Sequence, residues 1–406
     1  MNEKQRRDIL KTHKPQQLFP AEPHLGAWYT EEEIEVATKA IRDSMDWRIG
    51  FGFIVDEILD FEQSFANYCG TEFAISLSTA SVGLDSAMIS LNLEPGDEVI
   101  CPAINFRASP LAVLGQRANL VFCEIDPRTF NCDPADIERR ITPKTRAIFP
   151  VHMNGLSAPL DDLLDIAERH PHPIHGPLKV IGDAARACGG GYKGTKIGKK
   201  GWMNVFSFHT MKLMTTLGEG GMITTDDAEL AKKLRGIRQW GGDSGWGSSY
   251  KMTKVQAAVG SVQLRRLDAM IEQRVKRARD RLQMLEGIPE LTLTFEPPEC
   301  DHTFYLFTLL VPPKWAGEKR DRLCQILREE HNVGTMVANP PVWEDQPYIK
   351  AQTSNQIETL PVSVETAKRI FCISLHPLMS EEENAYVVAA VWDAVERMRK
   401  TQISER

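Results

Sequence analysis

From about residue 70 the chain alternates short apolar runs with helical stretches, and this order constrains the fold of its 406 residues more than any other feature. Phe73, Ile75 and Leu77 alternate as a strand. A Ser-Thr turn follows, and Leu84, Met88 and Leu91 then fall on one side of a helix. Pro95-Gly-Asp-Glu turns into the run Val99-Ile-Cys-Pro. Further strands are expected around 119–125, 146–152, 178–182, 203–208 and 221–225. A helix carrying Leu160, Leu163, Leu164 and Ala167 lies between two of them. Strands joined by such helices give an α/β fold with a largely parallel sheet covered on both faces.

The flanks read differently. Residues 1–27 are polar and then Pro-rich, and are expected to form an arm. Thr30-Glu-Glu-Glu33 is a capping box, after which Ile34, Ala37 and Ile41 mark one helix face. After about residue 255 a long charged amphipathic helix covers roughly 254–286. Alternating runs such as Phe304-Tyr-Leu-Phe-Thr-Leu-Leu-Val follow. Ser380-Glu-Glu-Glu383 caps a last helix with Tyr386, Val388, Ala389 and Trp392. The expected division is an arm (1–27), a large α/β domain (28–270) and a smaller C-terminal α+β domain (271–406).

Composition narrows the function classes. Hydrophobic content of 42% and charged content of 25% fit a globular chain with a sizeable core. A net charge of −7 gives no broad electrostatic case for nucleic acid or an anionic membrane. No apolar run is long enough to span a bilayer, and the charged N-terminus has no apolar signal core. The eight cysteines are scattered without a CxxC pair, several inside strand-like runs. They read as buried reduced thiols of a cytoplasmic protein. His170-Pro-His-Pro-Ile-His175 reads as a solvated loop, and Gly189-Gly-Gly191 as a turn, so no metal is expected.

The chemistry concentrates in Val205-Phe-Ser-Phe-His-Thr-Met-Lys212, which runs at once into a turn ending in Gly218-Glu-Gly-Gly221. Upstream, Val180-Ile-Gly-Asp183 sets an acid at the end of an apolar strand. Taken singly, the lysine is an ordinary surface charge and the aspartate an ordinary turn residue. Their order carries the argument. Ser78-Thr79-Ala80-Ser81 offers backbone amides at a helix N-terminus, with hydroxyls beside them, to a phosphate. Phe106 follows a strand and can stack on a ring. Asp183 can keep a pyridine nitrogen protonated, Ser207 can reach a phosphate, and Lys212 can condense with an aldehyde and then move a proton. Phosphate turn, aromatic, Asp, Ser and Lys all fall at C-terminal ends of expected strands, where open α/β sheets bind ligands. Pyridoxal 5′-phosphate has the phosphate, ring, nitrogen and aldehyde that this set addresses.

These residues resemble the DegT/DnrJ/EryC1/StrS family of sugar and cyclitol aminotransferases. The match is carried by Gly182-Asp-Ala-Ala, Phe206-Ser-Phe-His-Thr-Met-Lys, Gly218-Glu-Gly-Gly and Tyr250-Lys-Met-Thr-Lys-Val-Gln-Ala-Ala. Pro95-Gly-Asp-Glu-Val and Pro150-Val-His-Met-Asn-Gly also fit. The resemblance implies an aspartate-aminotransferase-like fold (fold type I) and a homodimer with shared active sites. It implies Lys212 as the lysine that binds the cofactor covalently, Asp183 at the ring nitrogen, Ser207 and Thr79-Ala80-Ser81 at the phosphate, and Phe106 on the ring. Three positions depart from the family pattern. Arg186 stands where Gln or His usually faces the cofactor's phenolic oxygen. Ser249 replaces the Asn that reaches the neighbouring subunit's phosphate. The usual Gly-Pro near the substrate loop is replaced around Val55-Asp56. The implied reaction moves an amino group from glutamate or glutamine to a keto sugar, often nucleotide-linked, or a keto cyclitol. Trp47, Arg48, Phe51 and His209 are expected on the substrate side. A sugar dehydratase of the same fold and a non-catalytic cofactor-binding regulator are the alternatives. Lys212 weighs against the first, whose members carry histidine there, and the complete Lys-Asp-Ser set weighs against the second.

Overall fold

The computed structural model describes residues 1–242, 245–338 and 340–404. Its centre is a seven-stranded sheet. The strands are β1 (Phe73–Leu77), β2 (Glu98–Pro102), β3 (Asn119–Cys123), β4 (Thr145–Ile148), β5 (Lys179–Asp183), β6 (Met203–Ser207) and β7 (Gly221–Thr225). Their order across the sheet is β1-β7-β6-β5-β4-β2-β3. The pairs β2/β3, β2/β4, β4/β5 and β5/β6 are parallel, and β7 runs antiparallel to both its neighbours. The expected mostly parallel sheet is present. All five residues of β6 are buried, which is why its sequence lacks in–out alternation.

A second sheet places Ile370–Ile373 between Phe307–Leu310 and Thr335–Met336, all antiparallel. Phe307, Phe371, Trp315, Tyr386 and Val391 form its core. The 32-residue helix Lys254–Leu285 serves both bodies. Ala257, Leu264 and Leu267 pack beside the large sheet, while Ala278 and Leu285 pack in the smaller core.

Two local expectations change. Ile34 and Ile41 are 57% and 53% exposed, whereas their neighbour Glu33 is buried. Glu33 closes the capping box on Thr30, then takes Gln263 Nε2 at 2.6 Å and pairs with Arg266, so the covered side of this helix runs through Glu33 and Ala40 rather than through Ile34 and Ile41. The start of the chain is also more ordered than an arm. Glu3–Thr12 is a helix with an Asn2–Gln5 capping box. Arg6 ties it to the last helix through Glu396 at 2.5 Å and the Trp392 ring at 4.4 Å. The segment after it straps across the molecule. Phe19 pairs with Val333, and Arg274 Nη2 donates to the Gly26 carbonyl at 2.6 Å.

All eight cysteines are buried and unpaired. Among the described residues no helix is long and apolar enough to cross a membrane.

Candidate active site

Two neighbouring strand ends make the floor of a cavity of about 470 Å3. β5 ends at Asp183 and β6 at Ser207, with Asp183 opposite Val205 and Ser207 opposite Gly221. Asp183 is 4% exposed. One of its oxygens accepts from Ser109 Oγ at 2.5 Å and the other from the Ala185 amide at 3.0 Å, so its orientation is fixed from two sides.

Past β6 the chain folds into a tight loop held by its own backbone. The amides of Phe208 and Thr210 donate to the carbonyls of Gly220 and Gly218 at 2.9 and 3.1 Å. Gly218-Glu-Gly-Gly is therefore the return arm of the loop that carries Lys212. Burial first, and the Arg186 charge second, push the Lys212 amine down to about 8, against the opposing pull of Glu22, Asp183 and Glu219. An amine held there is neutral for a useful fraction of the time near neutral pH, which a nucleophile and proton carrier requires.

At one end of the floor Thr79 caps the helix Ala80–Ser90, its Oγ1 accepting the Val82 amide at 3.1 Å. Thr79, Ala80, Ser81 and Ser207 line the cavity there. Gly221 allows this approach: a Cβ on it would lie 2.6 Å from the Thr79 carbonyl. The helix N-terminus and the Ser207 hydroxyl form a donor set suited to a phosphate.

The roof comes from elsewhere. Phe106, 51% exposed, lies on the cavity with the Arg107 guanidinium 5.6 Å from its ring. Arg186 lines the wall and donates to Asn154 Oδ1 at 3.3 Å. Glu22 from the N-terminal strap and Tyr305 from the segment before Phe307–Leu310 close over Lys212. Met336, Val337 and Pro340 complete the apolar rim.

The structure thus brings together Thr79, Ala80, Ser81, Phe106, Asp183, Arg186, Ser207, His209 and Lys212. It does not bring Ser249, Trp47, Arg48 or Phe51 to this cavity. Ser249 is exposed, bridges Gln239 and accepts from Lys251 Nζ at 2.9 Å. Trp47 is 89% exposed and Arg48 is paired with Asp46 on the surface. Sequence reasoning missed Ser109, Glu22 and Tyr305. Ser109 had a signal, since it lies three residues past Phe106, in the first turn of the helix Ala108–Gly115 that follows; the other two had none.

Comparison with known proteins identifies the chain's family. A model of the DegT/DnrJ/EryC1/StrS aminotransferase family matches residues 30–392. The spore coat polysaccharide biosynthesis protein SpsC of Bacillus subtilis is 34% identical, over 84% of this chain and 90% of its own. The dTDP-3-amino-3,4,6-trideoxy-alpha-D-glucose transaminase of Streptomyces venezuelae is 31% identical, over 93% and 97%. The crystal structure of DesV from S. venezuelae, 30% identical, superposes with a TM-score of 0.82 over 94% of this chain and 99% of that one.

Proposed function

The chain belongs to the DegT/DnrJ/EryC1/StrS aminotransferase family, and from that premise we propose that it uses pyridoxal 5′-phosphate to pass an amino group from glutamate or glutamine to a keto sugar. The observation that carries this reading is the meeting of Lys212 and Asp183 in one cavity, the amine's pKa lowered by burial and the carboxylate fixed by two donors. The donor set fits the cofactor: an amine for an aldehyde, an acid for a ring nitrogen, a capped helix N-terminus and a hydroxyl for a phosphate.

When bound, pyridoxal phosphate supplies an electrophilic aldehyde and a ring that accepts electron density. The chain supplies the rest. Lys212 gives the covalent attachment and, once released, carries a proton on Nζ. Asp183 would hold a proton on the ring nitrogen. Thr79, Ala80, Ser81 and Ser207 would hold the phosphate, Phe106 would hold the ring, and Arg186 would serve the phenolic oxygen.

The acceptor on this reading is a nucleotide-linked keto sugar, in keeping with the dTDP-sugar transaminase among the relatives. Keto cyclitols are the second class to test. Lys212 favours transamination over dehydration. We further propose a homodimer with shared sites, in which Ser249 of one copy reaches the phosphate of the other. Trp47, Phe51, Phe53, Trp240 and Trp246 are all exposed, with Phe53 against Trp240, and exposed aromatics of this number are the kind of surface a second copy would cover. Eight buried free thiols support a cytoplasmic setting.

A half-reaction screen tests the assignment. Purified holoenzyme is mixed with single amino acids, then with amino sugars, while the visible absorbance of the bound cofactor is followed. Glutamate or glutamine should convert it, and a nucleotide-linked keto sugar should restore it. A cofactor spectrum that no amino acid or amino sugar alters would overturn the reading.

A further inference from the structure

Lys212 Nζ lies 3.4 Å from the Tyr305 hydroxyl and 4.7 Å from the centre of its ring. That hydroxyl gives its proton to Glu22 in a short hydrogen bond. A phenol has one proton to donate. With Glu22 as its acceptor, Tyr305 presents only lone pairs to Lys212, so the amine must donate. The phenol is pushed well up by burial and by Glu22, and it stays protonated across the working pH range. It therefore acts as a fixed dipole rather than as an acid–base relay.

We propose that Glu22 and Tyr305 are positioning residues that dock the free amine of Lys212, Glu22 setting the direction of the Tyr305 hydroxyl and the hydroxyl oxygen aiming the amine. The dock is occupied whenever Lys212 is detached from the cofactor, which is when it must carry a proton. The inference rests on the reading of Lys212 above. Its two parts come from stretches 283 residues apart in the chain. The strap that delivers Glu22 is held by Gly334 N to Phe19 O at 2.7 Å and by Gly26 N to Thr210 O at 3.0 Å. Gly26 is required here, because a Cβ would lie 2.3 Å from the Met211 carbonyl oxygen. The same strap thus packs on the backbone of the Lys212 loop and reaches over its side chain.

The charges around the dock are Glu22, Asp183 and Glu219, which favour the ammonium, and Arg186, which opposes it. His209 stands 3.9 Å from Glu219, and Arg274 acts on Tyr305 from behind. The Cys372 thiol is buried near Arg186 and Glu22 and is held protonated by burial. Removing the Glu22 charge withdraws one of the three groups that favour the ammonium. In Glu22→Gln the carboxylate acceptor is also replaced by a weaker amide oxygen, so the Tyr305 proton is held less firmly and can turn toward a neutral amine. Both effects move Lys212 in the same direction, toward the neutral form.

The test reads the amine itself. Apoenzyme is treated with pyridoxal, which lacks the phosphate, and borohydride at a series of pH values, and the labelled lysine is identified by peptide mass. Only the neutral amine reacts, so the midpoint of labelling reports its pKa. Glu22→Gln should lower the midpoint by about one pH unit, about tenfold faster labelling below it. Tyr305→Phe should lower it less, and Glu22→Asp should restore most of the wild-type value. Leu18→Ala, exposed on the same strap, should leave it in place. In the holoenzyme half-reaction Glu22→Gln should lower kcat and leave KM for the amino donor nearly unchanged. Labelling at Lys212 with unshifted midpoints in both Glu22→Gln and Tyr305→Phe would overturn the dock alone. Labelling at a different lysine would overturn the assignment of Lys212 with it.

Discussion

The floor and the roof of the cavity are built on different plans. Asp183, Ser207 and Lys212 stand on adjacent strands and the loop leaving one of them, and ladder hydrogen bonds hold each strand on both sides. The roof groups Glu22, Phe106, Tyr305 and Pro340 come from four separate stretches, each held by a few side-chain or loop contacts. Groups that must keep sub-ångström geometry sit where backbone pairing is continuous, and groups that meet or admit substrate sit where it is not.

The largest effect expected is at the floor. Lys212→Ala should keep the fold and bind the amine form of the cofactor, yet lose about 10⁴-fold in turnover, the upper range for removing a proton-transfer group. Borohydride should fix the cofactor of the wild-type enzyme to the Lys212 peptide. An adduct at Lys193 or Lys251 would break the floor assignment altogether. Asp183→Asn should come next, losing about 10²–10³-fold in single-turnover rate with little change in melting temperature. A near-normal rate would remove Asp183 from the chemistry.

A mixed-subunit experiment asks whether a second copy belongs to the site. Ser249→Glu sets a negative charge at the proposed neighbouring phosphate, and Lys212→Ala removes the amine in its own chain. Each alone should be nearly inactive. In a mixed dimer one site carries both defects and the other none, so co-refolding should return a clear fraction of activity. No recovery means that Ser249 serves its own chain or that the chain works alone.

Smaller effects lie in stability. The Lys212 amine has its folded pKa lowered from 10.5 to about 8, so the folded protein binds fewer protons than the unfolded chain between these values. The cost to stability is full below about pH 8, shrinks as pH rises through that window and is gone above 10.5. Lys212→Met should therefore stabilise the apoprotein by up to about 3 kcal/mol at pH 7 and by almost nothing near pH 10.5, read from denaturant melts. A gain that does not vary with pH would contradict the account of a buried amine. Thr79→Ala should cost about 1 kcal/mol through its lost N-cap, and Thr79→Ser should recover most of it.

The same contrast decides what could be read from the chain. The floor was legible because its residues share continuous segments. An apolar run ending in Asp183, and another leading through Ser207 to Lys212 and a glycine turn, carry both the strand signal and the chemistry. The roof was not. Glu22 and Tyr305 are 283 residues apart, and no periodicity in either segment points to the other. The helix around Ile34 shows a different limit. Its apolar spacing marked a real face, but spacing does not say which face the rest of the molecule covers. Gln263 and Arg266, more than two hundred residues on, drew Glu33 inward and left Ile34 and Ile41 outside. The first helix was missed because the groups that tie Arg6 down, Trp392 and Glu396, belong to the far end of the chain.

That last arrangement has a consequence for biosynthesis. Residues 3–22 leave the ribosome before any of their partners exist. Val333 and Gly334 seat Phe19, Ser374 Oγ donates to its carbonyl, and Trp392 and Glu396 hold Arg6. The large sheet, made in between, can close its ladders without them. In chain order the strands that carry Asp183 and Ser207 precede Tyr305, Gly334 and Ser374, so the strap that delivers Glu22 has its partners only after the floor has been synthesised.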